Sequence, residues 1–148
     1  MTEQATSDAP VRYEVRDAVA TITLNRPEGM NGLDTPTKEA LLAAVTRAAT
    51  DGEARVVVLT GSGRAFCVGQ DLKEHREGLA NGDELSGTVT QHYNPTVHAL
   101  ATMDKPVIAA INGVAAGAGV SLALACDLRI INAKAGLNMA FSGIALSC

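Results

Sequence analysis

The chain has 148 residues, 47% of them apolar and 19% charged, with a formal net charge of −4, a balance that suits one folded domain. The mild acidic excess and the lack of a Lys/Arg-rich block argue against nucleic acid as the main partner. Three cysteines (Cys67, Cys126, Cys148) show no CxxC or other metal-ligand spacing, so no metal is expected and free thiols in a reducing cytoplasm fit best.

The first ten residues, MTEQATSDAP, are polar and lack an apolar targeting core, so residues 1–10 read as a disordered leader before a domain over 11–148. Residues 13–16 and 18–24 read as two strands with Asp17 at the turn, and VATITLN alternates as a half-buried strand should. Asn25-Arg26-Pro27-Glu28-Gly29 breaks that pattern. Thr35-Pro36 then predicts a helix start, with a hydroxyl cap and proline in the first turn. The helix runs to about Thr50 on an apolar stripe of Leu41, Leu42, Val45 and Ala48.

Residues 56–59 (VVVL) predict a buried parallel strand ended by Gly61-Ser62-Gly63. A charged helical turn is expected over 71–77, followed by a loop punctuated by Gly78, Gly82 and Gly87. A helix follows over 88–103, with Pro95 able to kink or delay it. Residues 107–111 predict the next buried strand, 117–125 a small-residue helix and 128–131 another strand. The uncharged stretch 106–126 divides at Asn112-Gly113, so it reads as strand plus helix rather than a membrane span. Strands alternating with helices imply an α/β fold with crossover connections, and no repeat of fixed period is visible.

Two glycine-containing turns follow buried strands, one over residues 61–72 and one over 112–119. Small residues there let main-chain N–H groups approach a ligand, and a helix starting at the turn directs its positive end at developing negative charge. Converging, two such turns could give one oxygen two N–H donors. Taken alone they could equally be tight strand-to-helix turns. Neither carries a P-loop lysine, and Phe66 stands where a dinucleotide fingerprint needs its third glycine.

The segments LNRPEGMNGLD, VVVLTGSGRAFCVGQDL and KPVIAAINGVAAGAGVSLALACDLRI resemble three consecutive blocks of the crotonase (enoyl-CoA hydratase/isomerase) superfamily, in that family's order. The resemblance implies a spiral of ββα units, with this chain stopping before the C-terminal helices. It implies an acyl-CoA thioester as substrate, coenzyme A as part of that substrate with no other cofactor, and a homo-trimer or hexamer in the cytoplasm. The main-chain N–H groups of Gln70 and Ala118 take the positions of the family's two oxyanion donors. The strip Gln70-Asp71-Leu72-Lys73, with Ala65 before it, takes the position of the acyl-CoA contact strip. Arg26 and Lys73 are candidates for the coenzyme A phosphates, or else solvated surface cations.

Hydratases of the family hold water between two glutamates, and their positions fall here on Ser121 and Phe141. Neither residue can act as a carboxylate base, so the resemblance favours an isomerase role. In the similar isomerase and dehalogenase subgroup the catalytic aspartate falls at about the first position beyond Cys148. The alternative is a catalytically incompetent fragment that binds acyl-CoA without turnover. An isolated 148-residue polypeptide of this kind is expected to expose apolar surface and self-associate. Asp71, Glu74 and His75 read as a solvated face, His92, His98 and Asp127 as structural, and Cys67 as packing.

Overall fold

The N-terminal strands pair as a hairpin in the computed structural model, which describes residues 8–82 and 85–144. Strand β1 (Val11–Arg16) lies antiparallel to β2 (Val19–Leu24), Val11 opposite Leu24 and Arg16 opposite Val19. Asp17 and Ala18 turn the chain with φ of 50° and 62°, the left-handed pair whose twist suits a two-residue hairpin. Asn25 ties down the preceding residues, its N–H donating to Pro10 O at 2.8 Å and its side chain to Ala9 O at 3.0 Å. Ala9 and Pro10 of the expected leader are thus tied to the hairpin, while residues 1–7 of it lie outside the described residues.

Helix α1 (Thr35–Thr50) has the expected bounds and a different cap. Asp34, not Thr35, takes the cap position, accepting from Thr37 N at 3.0 Å. A carboxylate offers the stronger acceptor to the first-turn N–H groups. At the other end the Lys105 ammonium donates to Ala48 O and Asp51 O, each at 2.6 Å, where open carbonyls favour a cation.

From here the chain repeats one move. Strand β3 (Val56–Gly61) enters a large sheet, β4 (Ala65–Cys67) enters a small one, and helix α2 (Leu72–Ala80) follows. After α3 (Leu85–Thr88), a π-helical turn (Val89–Tyr93) and α4 (Asn94–Thr102), the move recurs as β5 (Val107–Ile111), β6 (Val114–Ala116) and α5 (Ala118–Ala125). It begins again with β7 (Leu128–Ile131), β8 (Leu137–Asn138) and a 3-10 turn at Phe141–Ile144. The large sheet has the order β1-β2-β3-β5-β7 and the small one β4-β6-β8, parallel throughout except for the β1–β2 pair. This is the spiral of ββα units.

The expected single helix over 88–103 is interrupted. Pro95 sits in the first turn of α4 and brings no N–H, and the chain ahead of it widens into the π turn. The uncharged stretch 106–126 is shared among β5, β6 and α5, and among the described residues no helix is long and apolar enough to cross a membrane.

The core fills the space between the large sheet and α1 and α4. Ile22, Leu24, Val57, Leu59, Val107 and Ile111 supply the sheet face; Leu41, Val45 and Leu100 supply the helices. Each such side chain contributes roughly 1.5–3 kcal/mol by leaving water. Phe66, fully buried on β4, joins the small sheet to that core. Strand β7 differs, because all four of its residues are exposed at the sheet edge.

Candidate active site

The two glycine turns meet because β4 and β6 pair in parallel, Ala65 beside Val114 and Cys67 beside Ala115. Their approach is closer than any side chain would permit. A Cβ on Gly113 would lie 2.0 Å from Arg64 O, and one on Gly119 would lie 2.1 Å from Cys67 O. Gly69 has φ of +85°, and a Cβ there would lie 3.0 Å from Ala118 N. Gln70 follows directly, so the segment carrying Gln70 N–H touches the one carrying Ala118 N–H.

Hydrogen bonding orients both groups. Leu33 N–H donates to Gly69 O at 2.8 Å, and Asp71 N–H donates to Leu33 O at 3.1 Å. In an extended strand successive N–H groups alternate sides, so Gln70 N–H faces away from Leu33. Gly117, with φ of +50°, precedes the first residue of α5 and donates its N–H to Asn138 O at 2.9 Å. No side chain caps α5. Among the described residues, neither Gln70 N–H nor Ala118 N–H is taken by another group. Gln70, Ala118, Ser121, Tyr93, Leu72 and Phe141 share the wall of an apolar cavity of about 660 Å³.

The other residues singled out in the sequence divide between cavity and scaffold. Leu72 is exposed at the cavity mouth, and Lys73 is exposed beside it on α2. Asp71 caps α2, accepting from Lys73 N at 3.0 Å and Glu74 N at 3.1 Å. The Glu74 N–H outweighs burial and, with Arg26, holds the Asp71 carboxyl below the usual carboxylate range. Arg26 itself is matched by Asp34 at 3.2 Å and Asp71 at 3.4 Å and donates to Gly32 O at 2.6 Å. Ala65 is buried, its carbonyl accepting from Asn31 at 2.8 Å and Asn112 at 3.1 Å. Arg26 and Ala65 thus brace the turns and do not line the apolar cavity.

Cys67 is fully buried, and burial pushes its thiol up to about 12 against a weak opposing bond from Gly69 N–H. It is packing, not a nucleophile at neutral pH. Ser121 and Phe141, which the resemblance sets at the hydratase glutamate positions, both line the cavity, and neither carries a carboxylate.

Lys38 and Tyr93 were not singled out by sequence reasoning, and Glu74, expected on a solvated face, is instead half-buried and paired with Lys38. Lys38 is 3% exposed, with its ammonium 2.8 Å from Thr88 Oγ1, 3.0 Å from Glu74 Oε1 and 3.4 Å from Gln70 Oε1. Tyr93 donates to the same Gln70 Oε1 at 2.6 Å, and Gln70 Nε2 donates to Glu74 Oε1 at 3.2 Å. Burial would raise the Glu74 carboxyl, but Thr35 N–H and Lys38 hold it low. A polar cavity of about 630 Å³ lies on the far side of this cluster, sharing Gln70, His75 and Thr88 with the apolar one. The usable signal was spacing: Lys38 continues the stripe of Leu41, Val45 and Ala48.

An α/β spiral of ββα units, with its two sheets ordered β1-β2-β3-β5-β7 and β4-β6-β8 and two glycine turns packed together beside an apolar cavity, defines a crotonase-fold protein. The chain belongs to the enoyl-CoA hydratase/isomerase family, whose model matches residues 14–146. It is 48% identical to a probable enoyl-CoA hydratase of Rhodobacter capsulatus, over 92% of this chain and 51% of that protein. It is 42% identical to the 1,2-epoxyphenylacetyl-CoA isomerase of Escherichia coli, over 89% and 51% respectively. A Mycobacterium abscessus structure described as an enoyl-CoA hydratase/isomerase superposes with a TM-score of 0.89 at 45% identity, over 93% of this chain and 54% of that one. The chain spans about half the length of these relatives.

Proposed function

We propose that this chain binds an acyl-CoA thioester and stabilises its enolate between the N–H groups of Gln70 and Ala118. The observation that carries the reading is the contact between the two glycine turns, which leaves both amides open beside the apolar cavity. The thioester carbonyl would accept from both, and charge moving onto that oxygen as an α-proton leaves would be stabilised in a site poor in water. Because the donors are main-chain groups, the glutamine at position 70 does not remove one. The Ala118 methyl narrows the space beside the oxygen without filling it.

Isomerase-type chemistry fits better than hydration. A hydratase needs a carboxylate pair to hold and activate water, and Ser121 and Phe141 occupy the corresponding wall. Among the described residues no carboxylate lines the apolar cavity, and Tyr93, raised by burial, keeps its proton on Gln70. The same observation favours the second reading, binding without turnover by this segment alone. Coenzyme A would arrive as part of the substrate, Lys73 remains the candidate for its phosphates, and a cytoplasmic homo-oligomer with no membrane or nucleic-acid partner is the family-like setting.

Incubating the purified protein with butyryl-CoA in deuterated water, and with crotonyl-CoA in parallel, tests these together. Exchange of α-protons without hydration of crotonyl-CoA supports the isomerase reading. Binding without exchange supports the binding-only reading. Hydration at an enzymatic rate would defeat both, and no binding of either thioester would remove the site.

A further inference from the structure

Lys38 poses a physical question, since a cation at 3% exposure on the apolar face of α1 is costly unless its donors are met. They are met by Thr88 Oγ1, Glu74 Oε1 and Gln70 Oε1. Gln70 Oε1 also accepts from Tyr93, and Gln70 Nε2 is spent on Glu74. The side chain of one proposed oxyanion donor is therefore held at both its oxygen and its nitrogen by groups from α1, α2 and the π turn.

A free glutamine here would be a liability. Its amide oxygen is a flexible neutral acceptor beside its own N–H and that of Ala118, and either donor filled from within is lost to the substrate. We propose that Lys38 is a positioning residue: together with Tyr93 it keeps the Gln70 side chain in the wall between the polar and apolar cavities, leaving both main-chain donors open to the thioester oxygen. This rests on the oxyanion reading above. A lysine that only supported the fold by pairing Glu74 would be indifferent to the side chain at position 70.

That difference sets the test. Butyryl-CoA labelled with 13C at the thioester carbonyl is bound to the protein and its carbonyl stretch read by isotope-edited infrared spectroscopy. The unsubstituted protein lowers the stretch on binding. Lys38→Met is expected to lose most of that lowering and to bind about tenfold more weakly; Tyr93→Phe, which keeps the ring, moves the same way by less. The loss caused by Lys38→Met should shrink sharply in a Gln70→Ala background, a coupling that a purely structural role would not produce. Should Lys38→Met fail to fold, the same cycle is run with Tyr93→Phe. Equal losses with glutamine or alanine at position 70, or no loss at all, overturn the proposal. No lowering in the unsubstituted protein overturns the oxyanion reading itself, and the positioning role falls with it.

Discussion

The two glycine turns bring Gln70 and Ala118 to one cavity wall by different means. The first, around Gly69 and Gln70, is held by hydrogen bonds: Leu33 on its main chain, Asp71 capping α2, and the Lys38–Tyr93–Glu74 cluster on the Gln70 side chain. The second, from Asn112 to Gly119, is tied by the Asn112 side chain to Ala65 O and by Gly117 N–H to Asn138 O. Its closeness to the first turn, however, depends on absent side chains, with Gly113 and Gly119 pressed against carbonyls of that turn and α5 left without a side-chain cap. A turn set by hydrogen bonds tolerates a large residue at its donor position. A turn set by close approach tolerates none at its glycines.

The sharpest way to break this contrast is Gly119→Ala. The new methyl would meet Cys67 O at 2.1 Å, so strand β4 or helix α5 must move. We expect a loss of about 3 kcal/mol in urea unfolding together with loss of acyl-CoA binding. Asp71→Ala, in the first turn, should cost less, about 1–2 kcal/mol in the same measurement, because it removes a cap and one of the carboxylates facing Arg26.

Two pH limbs sharpen the comparison further. Asp71 and Glu74 both titrate below their ordinary values of 3.8 and 4.5, so the stability they contribute is complete above those values. It is lost as pH falls through the lower folded-state values, and Asp71→Asn should flatten that acid limb of the melting temperature. Cys67 behaves oppositely: its thiol rises from 9.0 to about 12, so the neutral form favoured by burial stabilises below pH 9.0. That contribution is lost as pH climbs toward 12, and Cys67 should resist alkylation in native protein at neutral pH while reacting once unfolded. The smallest effect is Ala118→Gly, which should lower stability by about 0.5 kcal/mol and leave thioester binding intact or improved for branched acyl groups.

Much of the large sheet was readable because its strands are short runs rich in Val, Ile and Leu: β5 and β7 fall where the segments 107–111 and 128–131 place them. The small sheet was not. Strands of two or three residues, such as Leu137–Asn138 and Ala65–Cys67, are shorter than any window in which periodicity can register, and they exist only through pairing. The repeat escaped notice for a related reason. Its strands start at Val56, Val107 and Leu128, because α2 to α4 lengthen one turn of the spiral and not the next. For the site, resemblance pointed to Gln70 and Ala118, but the contact of Arg26 with Asp71 is long-range and its contact with Asp34 spans an irregular loop, so no local pattern announces them. Lys38 was passed over because a lysine ending an apolar stripe ordinarily reaches solvent with its head, and only the closing of Glu74 on α2 and Thr88 at the end of α3 over it prevents that here.

The strand order holds a consequence for how the protein is made. In the large sheet each strand joins the edge next to the strand that preceded it, β1 through β7 in order of synthesis, and β4, β6 and β8 do the same in the small sheet. No later segment has to thread between strands already placed. A chain leaving the ribosome can therefore lay down each turn of the spiral as it emerges, with its newest strand always forming the open edge.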